Sequence, residues 1–552
     1  MTTEKPWLKQ YRPGVPAEVG ELPYNSVADL LIESCQKHLN KTAYVNFGKS
    51  ISYQELDQYS QQFAAYLQSK YKTGDSIAIM MPNVLQYPIA VMGILRAGMV
   101  VTNVNPLYTP RELKHQLNDA EAKAIIVIEN TACTLAEVVD ETGIDQVITA
   151  TIGEMVGGIK GSIMDFMIKR VKKMVPPFSL PGSVSFKSTL KTGQSLTYKP
   201  VKRELNDVAF LQYTGGTTGV SKGAMLTNKN MVSNVTQTHL WIKSEIKAGQ
   251  ETVITALPLY HIFALTANCL TFCMYGAKNV LITNPRDMPG FVKELSQHDF
   301  TVLTGVNTLF NGLLNTPGFS DLDFSKFKFA LGGGMAVQKG TATNWKKVTG
   351  VTLAEAYGLT ETSPAACMNP IPLDEYNGTI GLPIPSTDCQ IQDDDGNPLP
   401  VGEAGELCIK GPQVMLGYLK RPEETAKSIV DGWFKTGDIA VMDEKGYFKI
   451  VDRKKNMILV SGFNVFPNEI EDAACMHEAI VECAAIGIPD EKSGEVVKLF
   501  VVSNSPSLTE KDVIAYCKTN LTGYKVPKMV EFKDELPKSN VGKILHKDLR
   551  EN

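Results

Sequence analysis

Two stretches of this chain, residues 76–95 and 252–277, run for about the length of a membrane span without an Asp, Glu, Lys or Arg. The first contains Pro82, Asn83, Gln86 and Pro88, and the second Pro258, His261 and Asn268. Prolines and amides at mid-depth argue against a spanning helix, so each stretch reads as a buried strand followed by a buried helix. The alternation continues in "QYPIAVMGILRAG", in "AKAIIVIE" and in "KFALGGG" after a polar turn. Over the first ~430 residues this pattern predicts an α/β fold of mainly parallel sheets covered by helices.

From Cys389 the text changes. "CQIQDDDGNPLPVGEAGELCIKG" has short alternating runs around an Asp-Gly-Asn turn, which predicts an antiparallel β-module over about 380–450. In "IVDRKKNMILVSG" a charged cluster at 452–455 separates two apolar runs, as a hinge would. Beyond it, a helix is expected from about Pro467 to His477, with the proline in its first turn. A strand near 484–488 and another in "EVVKLFVVS" follow, then a helix opened by the capping pattern Thr509-x-x-Asp512, then a strand near 529–532. The expected division is 1–452 as a large N-terminal region and 453–552 as a small, mobile α+β lid; 552 residues are enough for both.

Composition narrows the function classes. A hydrophobic content of 43%, a charged content of 21% and a net charge of −4 are those of a soluble globular protein with an ample core. No basic footprint marks a nucleic-acid partner. The ten cysteines are scattered, and Cys269 and Cys273, one helical turn apart in an apolar run, read as buried free thiols. Dispersed thiols and an N-terminus, "MTTEKPWLKQYRPGVP", without a signal-like apolar stretch lead us to expect a cytoplasmic protein.

The chemistry starts in "YTGGTTGVSKGAMLT", residues 213–227. Glycines among hydroxyls let backbone N–H groups aim at phosphate oxygens, and Lys222 adds a mobile cation. This is not a Walker A loop: Lys222 precedes Gly223, so no hydroxyl follows the lysine to hold Mg²⁺. By themselves the glycines fit a flexible surface turn as well.

"AYGLTET" (356–362), "DGWFKTGDIAVMDEKGYFKIVDRKKNMILVSGFNVFPNEIE" (431–471) and "LPKSNVGKI" (536–544) accompany the loop. In this order they resemble the adenylate-forming (ATP-dependent AMP-binding) superfamily, and within it the bacterial long-chain fatty acyl-CoA synthetases. The resemblance covers nearly the whole chain. It implies that a fatty carboxylate attacks the α-phosphorus of ATP to give acyl-AMP and pyrophosphate. Coenzyme A then displaces AMP, and the acyl-CoA feeds fatty acid degradation and lipid metabolism.

Carried onto this sequence, the resemblance gives each motif a role. Tyr213, Thr214, Gly215, Gly216, Thr217, Thr218, Gly219 and Lys222 would cradle the departing phosphates, an electrostatic task. Gly333, Gly334, Gly358 and Leu359 would border the nucleotide. Tyr357 would stack on adenine, Thr360 bond the α-phosphate, and Glu361 supply the oxygen ligand for Mg²⁺. Asp438 and Arg453 would hold the ribose. Lys543, with Thr218 and Glu361, would be catalytic in the first step. Lys455 matches the family's pivot, about which the lid would turn so that Ser461 and Gly462 face coenzyme A. Tyr357 also fits as core, Asp438 as a turn residue, and Lys543 as one solvated lysine of a basic tail.

For the acyl chain, residues 257–277 and 304–315 offer uncharged lining, and each buried CH₂ contributes ~0.8 kcal/mol. His261 fits either a satisfied core histidine or a wall beside the acid. Phe310 stands where some family members carry a gating tryptophan. In "GSIMDFMIKRVKKMV", Met164, Met167, Ile168, Val171, Met174 and Val175 share one helical face and Lys169, Arg170, Lys172 and Lys173 the other, with Phe166 off the stripe. Such a helix fits an anionic membrane surface, or packing on its own protein. A homodimer stays open. The competing functions are a medium-chain or aryl-acid CoA ligase, a luciferase-like oxygenase, a peptide-synthetase adenylation module (which would need a carrier domain after Asn552), and a non-catalytic fatty acid uptake or binding protein.

Overall fold

The computed structural model describes residues 5–214, 221–461, 463–490, 492–539 and 542–550. Two large sheets dominate it. In the first, nine strands run in the order Leu382–Pro383, Ala365–Met368, Leu353–Gly358, Phe329–Gly333, Val302–Gly305, Thr252–Thr255, Lys278–Leu281, Thr42–Asn46, Lys49–Ser52. Its central pairs are parallel and its margins antiparallel. The second has eight strands, with parallel pairing from Val208–Thr214 through Val100–Asn103, Ser76–Met80 and Ala124–Ile128, and antiparallel Lys222–Thr227 beside Val208–Thr214.

The two uncharged stretches are buried. Strand Ser76–Met80 and helix Gln86–Arg96 have no exposed residue, which a helix achieves only with protein on every side. Asn83, in the turn between them, donates to Thr255 O and Leu257 O at 3.0 and 2.9 Å and so ties one sheet to the other. The second stretch departs from the expected single helix. After strand Thr252–Thr255 it breaks into Ile262–Ala264, a π-helical segment Leu265–Thr271, and Phe272–Met274. Its polar side chains bond elsewhere: Thr266 Oγ1 donates to Ser363 O at 2.7 Å, and Asn268 Oδ1 accepts from Thr304 at 2.9 Å. Cys269 and Cys273 are buried free thiols.

The antiparallel module is present as Asp388–Gln392, Gly405–Lys410, Ile429–Val430, Trp433–Met442 and Phe448–Arg453. Its turn forms where Asp393 Oδ1 accepts the Asp395 and Asn397 amides at 3.0 and 2.8 Å. The C-terminal unit has its own sheet and its own core, built around Ile458, Val465, Ile470 and Leu499. Helix Pro467–Cys475 stops two residues short of the expected His477; Thr509 caps helix Glu510–Asn520 with Asp512, and the last strand is Met529–Phe532.

The basic amphipathic stretch corrects the expected stripe. Helix Gly158–Phe166 continues as a π-helical turn, Met167–Val171, and Lys173 takes a φ of +51° that ends it. The extra residue per turn rotates the faces. The exposed apolar ridge is Ile159 (81% exposed), Ile163, Phe166 (60%), Met167, Val171 and Met174, while Met164 and Ile168 are half-buried. Among the described residues no helix is long and apolar enough to cross a membrane.

Candidate active site

The carboxyl ends of parallel strands from both sheets open on one cleft of roughly 1520 Å³, roofed by the C-terminal unit. Open α/β sheets bind ligands at this edge. Strand Phe329–Gly333 delivers Gly333 and Gly334, and its neighbour Leu353–Gly358 delivers Tyr357 and Gly358. A Cβ on Gly358 would lie 1.8 Å from Pro364 O, so no other residue fits there without moving the backbone. The chain then makes a tight turn, Thr360–Thr362, which sets Leu359, Thr360 and Glu361 on the cleft wall.

The ribose candidates are fixed by sheet register. Asp438 and Arg453 lie directly opposite each other on strands Trp433–Met442 and Phe448–Arg453, and the guanidinium Nε meets Asp438 Oδ1 at 2.8 Å. Tyr357 donates its hydroxyl to Asp438 Oδ2 at 2.5 Å. Burial first, then the Asp438 charge, holds that phenol far above its ordinary pKa, so it stays a donor.

On the other wall, Thr214 and Lys222 pair across the hairpin Val208–Thr214/Lys222–Thr227. Tyr213 donates to Asp119 Oδ2 at 2.8 Å. Gly215, Gly216, Thr217, Thr218 and Gly219 lie outside the described residues, as does Gly462. Lys222 Nζ lies 2.9 Å from Glu424 Oε2 and 4.8 Å above the Tyr418 ring. The same Tyr418 donates to Glu361 Oε1 at 2.7 Å. Tyr418 and Glu424 were not among the expected site residues. The only sequence signal for them is Gly-Tyr followed by the helix-opening Pro422, and nothing local links position 418 to 361.

Lys543 comes from the C-terminal unit. Its turn is built by Ser539 N→Lys543 O (2.7 Å), Lys543 N→Ser539 Oγ (3.1 Å) and Gly542 at a φ of +81°. Thr308 of the large region donates to Gly542 O at 3.2 Å. The Lys543 side chain passes over Gly334, with Cε 3.4 Å from where a Cβ there would sit. Burial and the Arg453 charge lower its pKa to about 8, against the pull of Asp438 and Glu361.

His261 also faces the cleft, its Nδ1 accepting Phe263 N–H at 3.4 Å. Burial, then the Lys543 charge, lowers its pKa to about 3, so the ring is neutral at physiological pH. Two further side chains position this loop: Gln212 Nε2 donates to Tyr260 O at 2.5 Å and its Oε1 accepts from Asn103 at 3.0 Å.

Two expected residues are not brought to the cleft. Phe310 is fully buried in an aromatic cluster, its ring centroid 4.9 Å from that of Trp345, and does not line the cavity. Ser461 is exposed, with its amide bonded to Ser493 O at 2.7 Å. Lys455 does reach the cleft. Glu355, unforeseen, is a buried carboxyl in the wall; burial raises its pKa to about 8 even though it accepts Val337 N–H at 2.6 Å.

Comparison with known proteins agrees across the chain. A family model described as AMP-binding enzyme matches residues 31–419, and one described as AMP-binding enzyme C-terminal domain matches 469–543. A long-chain-fatty-acid–CoA ligase of Escherichia coli O6:H1 is 54% identical over 552 residues, covering 99% of this chain and 98% of the relative. The protein of the same name from Bacillus subtilis is 36% identical, covering 100% and 98%. Among solved structures, ATP-bound MatB from Rhodopseudomonas palustris superposes with a TM-score of 0.82 at 28% identity, covering 96% of this chain and 99% of that one.

Proposed function

Since the chain belongs to the AMP-binding enzyme family and is a long-chain-fatty-acid–CoA ligase, we propose that its cleft joins a fatty carboxylate to AMP with the C-terminal unit closed, and transfers the acyl group to coenzyme A after that unit turns about Lys455. The observation that carries this reading is the approach of Lys543, from one unit, to Gly334, Glu361 and Asp438, from the other.

Asp438 and Arg453 hold the ribose, and the Tyr357 ring, fixed by its bond to Asp438, offers a face to adenine. The triphosphate draws Lys222 off Glu424, and the 213–222 hairpin orients the β- and γ-phosphates. Glu361 fits Mg²⁺ by its chemistry: a lone carboxylate, half engaged by Tyr418, suits an ion that takes most of its remaining oxygens from phosphate and water. Bound there, Mg²⁺ would neutralise phosphate charge. Lys543 donates to the attacking carboxylate and the α-phosphate as the oxygen–phosphorus bond forms and the bond to pyrophosphate breaks. Neutral His261 flanks the acid without adding a charge. Thr266 and Ala267, with Asn234 and Thr238 of helix Asn228–Ile242, begin the acyl path. In the second step the thiol sulfur attacks the acyl carbonyl and AMP leaves, with Ser461 and Gly462 turned inward by the rotation.

The exposed ridge around Phe166, with exposed Lys160, Arg170, Lys172 and Lys173 beside it, supports peripheral attachment to an anionic, cytoplasmic membrane face, where long-chain acids partition. The test of function is a substrate panel of acetate, octanoate, oleate and 4-coumarate, read by pyrophosphate and AMP release. We expect pyrophosphate release to need ATP, magnesium and a long chain, and AMP release to need coenzyme A as well. Preference for 4-coumarate would move the chain to the aryl-acid ligases, and no turnover with any acid would refute the reading.

A further inference from the structure

Apart from the nucleotide residues, one thiol, Cys483, lines the cleft, and a second, Cys475, lies against it. Cys475 closes helix Pro467–Cys475, Cys483 lies in strand Ile480–Asp490, and their sulfurs are 3.3 Å apart. A bonded pair would stand at ~2.05 Å, so a shift of about an ångström joins them. The two differ in access. Cys475 is half-buried, whereas Cys483 is buried, with its sulfur 3.4 Å from Glu471 O. Cys475 also touches the large region: Gln338 Nε2 donates to its sulfur at 3.1 Å. Gln338 is itself held by Asn307, whose Oδ1 accepts Gln338 N–H at 3.0 Å and whose Nδ2 donates to Gln338 Oε1 at 3.2 Å. The position of one sulfur is thus tied to closure of the C-terminal unit. A second pair, Cys367 and Cys389, is 3.6 Å apart but buried in the large core and not part of the cleft lining.

We propose that Cys475 and Cys483 are a hydroperoxide-oxidised dithiol whose disulfide loosens the closed state. The Cys475 thiolate takes the terminal oxygen of a hydroperoxide; the O–O bond breaks and the remaining alkoxide, protonated, leaves as an alcohol (water, from hydrogen peroxide). Cys483 then attacks the sulfenic sulfur, the S–S bond forms, and the sulfenic oxygen departs as water. Two thiols and one hydroperoxide thus give one disulfide, one alcohol and one water. Bond formation draws the Cys475 sulfur away from Gln338 and removes a hydrogen bond that crosses between the units. Adenylation, which on the reading above uses this closed state, slows.

The test treats the reduced full-length protein with hydrogen peroxide, maps disulfides by mass spectrometry, and follows oleate-dependent ATP–pyrophosphate exchange. The expected result is a Cys475–Cys483 peptide pair that appears before any Cys367–Cys389 pair. Exchange should fall about fivefold, the scale of one lost hydrogen bond, and return with dithiothreitol. Cys475→Ser and Cys483→Ala should keep basal exchange and ignore peroxide. No Cys475–Cys483 pair, sulfinic acid at Cys475 in its place, or a disulfide that leaves exchange unchanged would overturn the proposal. A reduced protein that forms the disulfide but never exchanges pyrophosphate would instead contradict the functional reading.

Discussion

Lys543 works at the limit of what a buried ammonium can sustain. Its pKa of about 8 means the cation is complete below that value and is lost as pH rises through it. In the proposed mechanism the charged form serves the first step, so kcat/KM for ATP should fall above about pH 8. Lys455 is lowered to about 8 as well, by burial and Arg453, so the assignment needs a variant. Lys543→Arg, whose guanidinium does not deprotonate in this range, should lose that limb whatever its absolute rate; an unchanged limb would assign it elsewhere. Gly358 is constrained by space instead. With Pro364 O 1.8 Å from the place a Cβ would take, Gly358→Ala should destabilise the protein by about 1–3 kcal/mol and displace Glu361, read as a lower thermal midpoint with weaker ATP binding.

At the scale of elements, hairpins and adjacent strands do the positioning. Asp438 meets Arg453 because two strands pair in that register, and a slip of one residue would turn one of them to the opposite face. The helix from Gly158 makes the opposite use of its side chains, leaving apolar ones in solvent. Burying part of that ridge in a bilayer and placing basic residues at anionic headgroups, at about 1 kcal/mol each, act in the same direction. Charge reversal of Lys169, Arg170, Lys172 and Lys173, or Phe166→Glu, should cut co-sedimentation with anionic liposomes about tenfold or more while leaving activity on detergent-dispersed oleate unchanged. Unaltered co-sedimentation would remove the ridge from the membrane account.

Across the whole molecule, what could be read in sequence was what is local. Alternation of apolar runs gave the buried strand and helix at 76–96, and the Thr509–Asp512 pattern gave its cap, because both depend on neighbours a few residues away. The nucleotide motifs were legible through resemblance, and each described one reaches the same cleft. What escaped depends on distant pairs: Tyr418 on Glu361, Gln338 on Cys475, and Phe310 turned into the core by Trp345. The π-helical turn at Met167–Val171 escaped too, since a helical wheel assumes one periodicity and the inserted residue shifts the faces that follow it.

Centrally, the proposed function has two units share one nucleotide site and divide the two half-reactions between arrangements. Lys543→Ala measured in each half-reaction tests this most directly, with oleoyl-AMP formation followed in one assay and thioester formation from supplied oleoyl-AMP and coenzyme A in the other. The expected result is a loss on the order of 10²–10³ in the first and little change in the second. Equal losses in both, or none in the first, would contradict it.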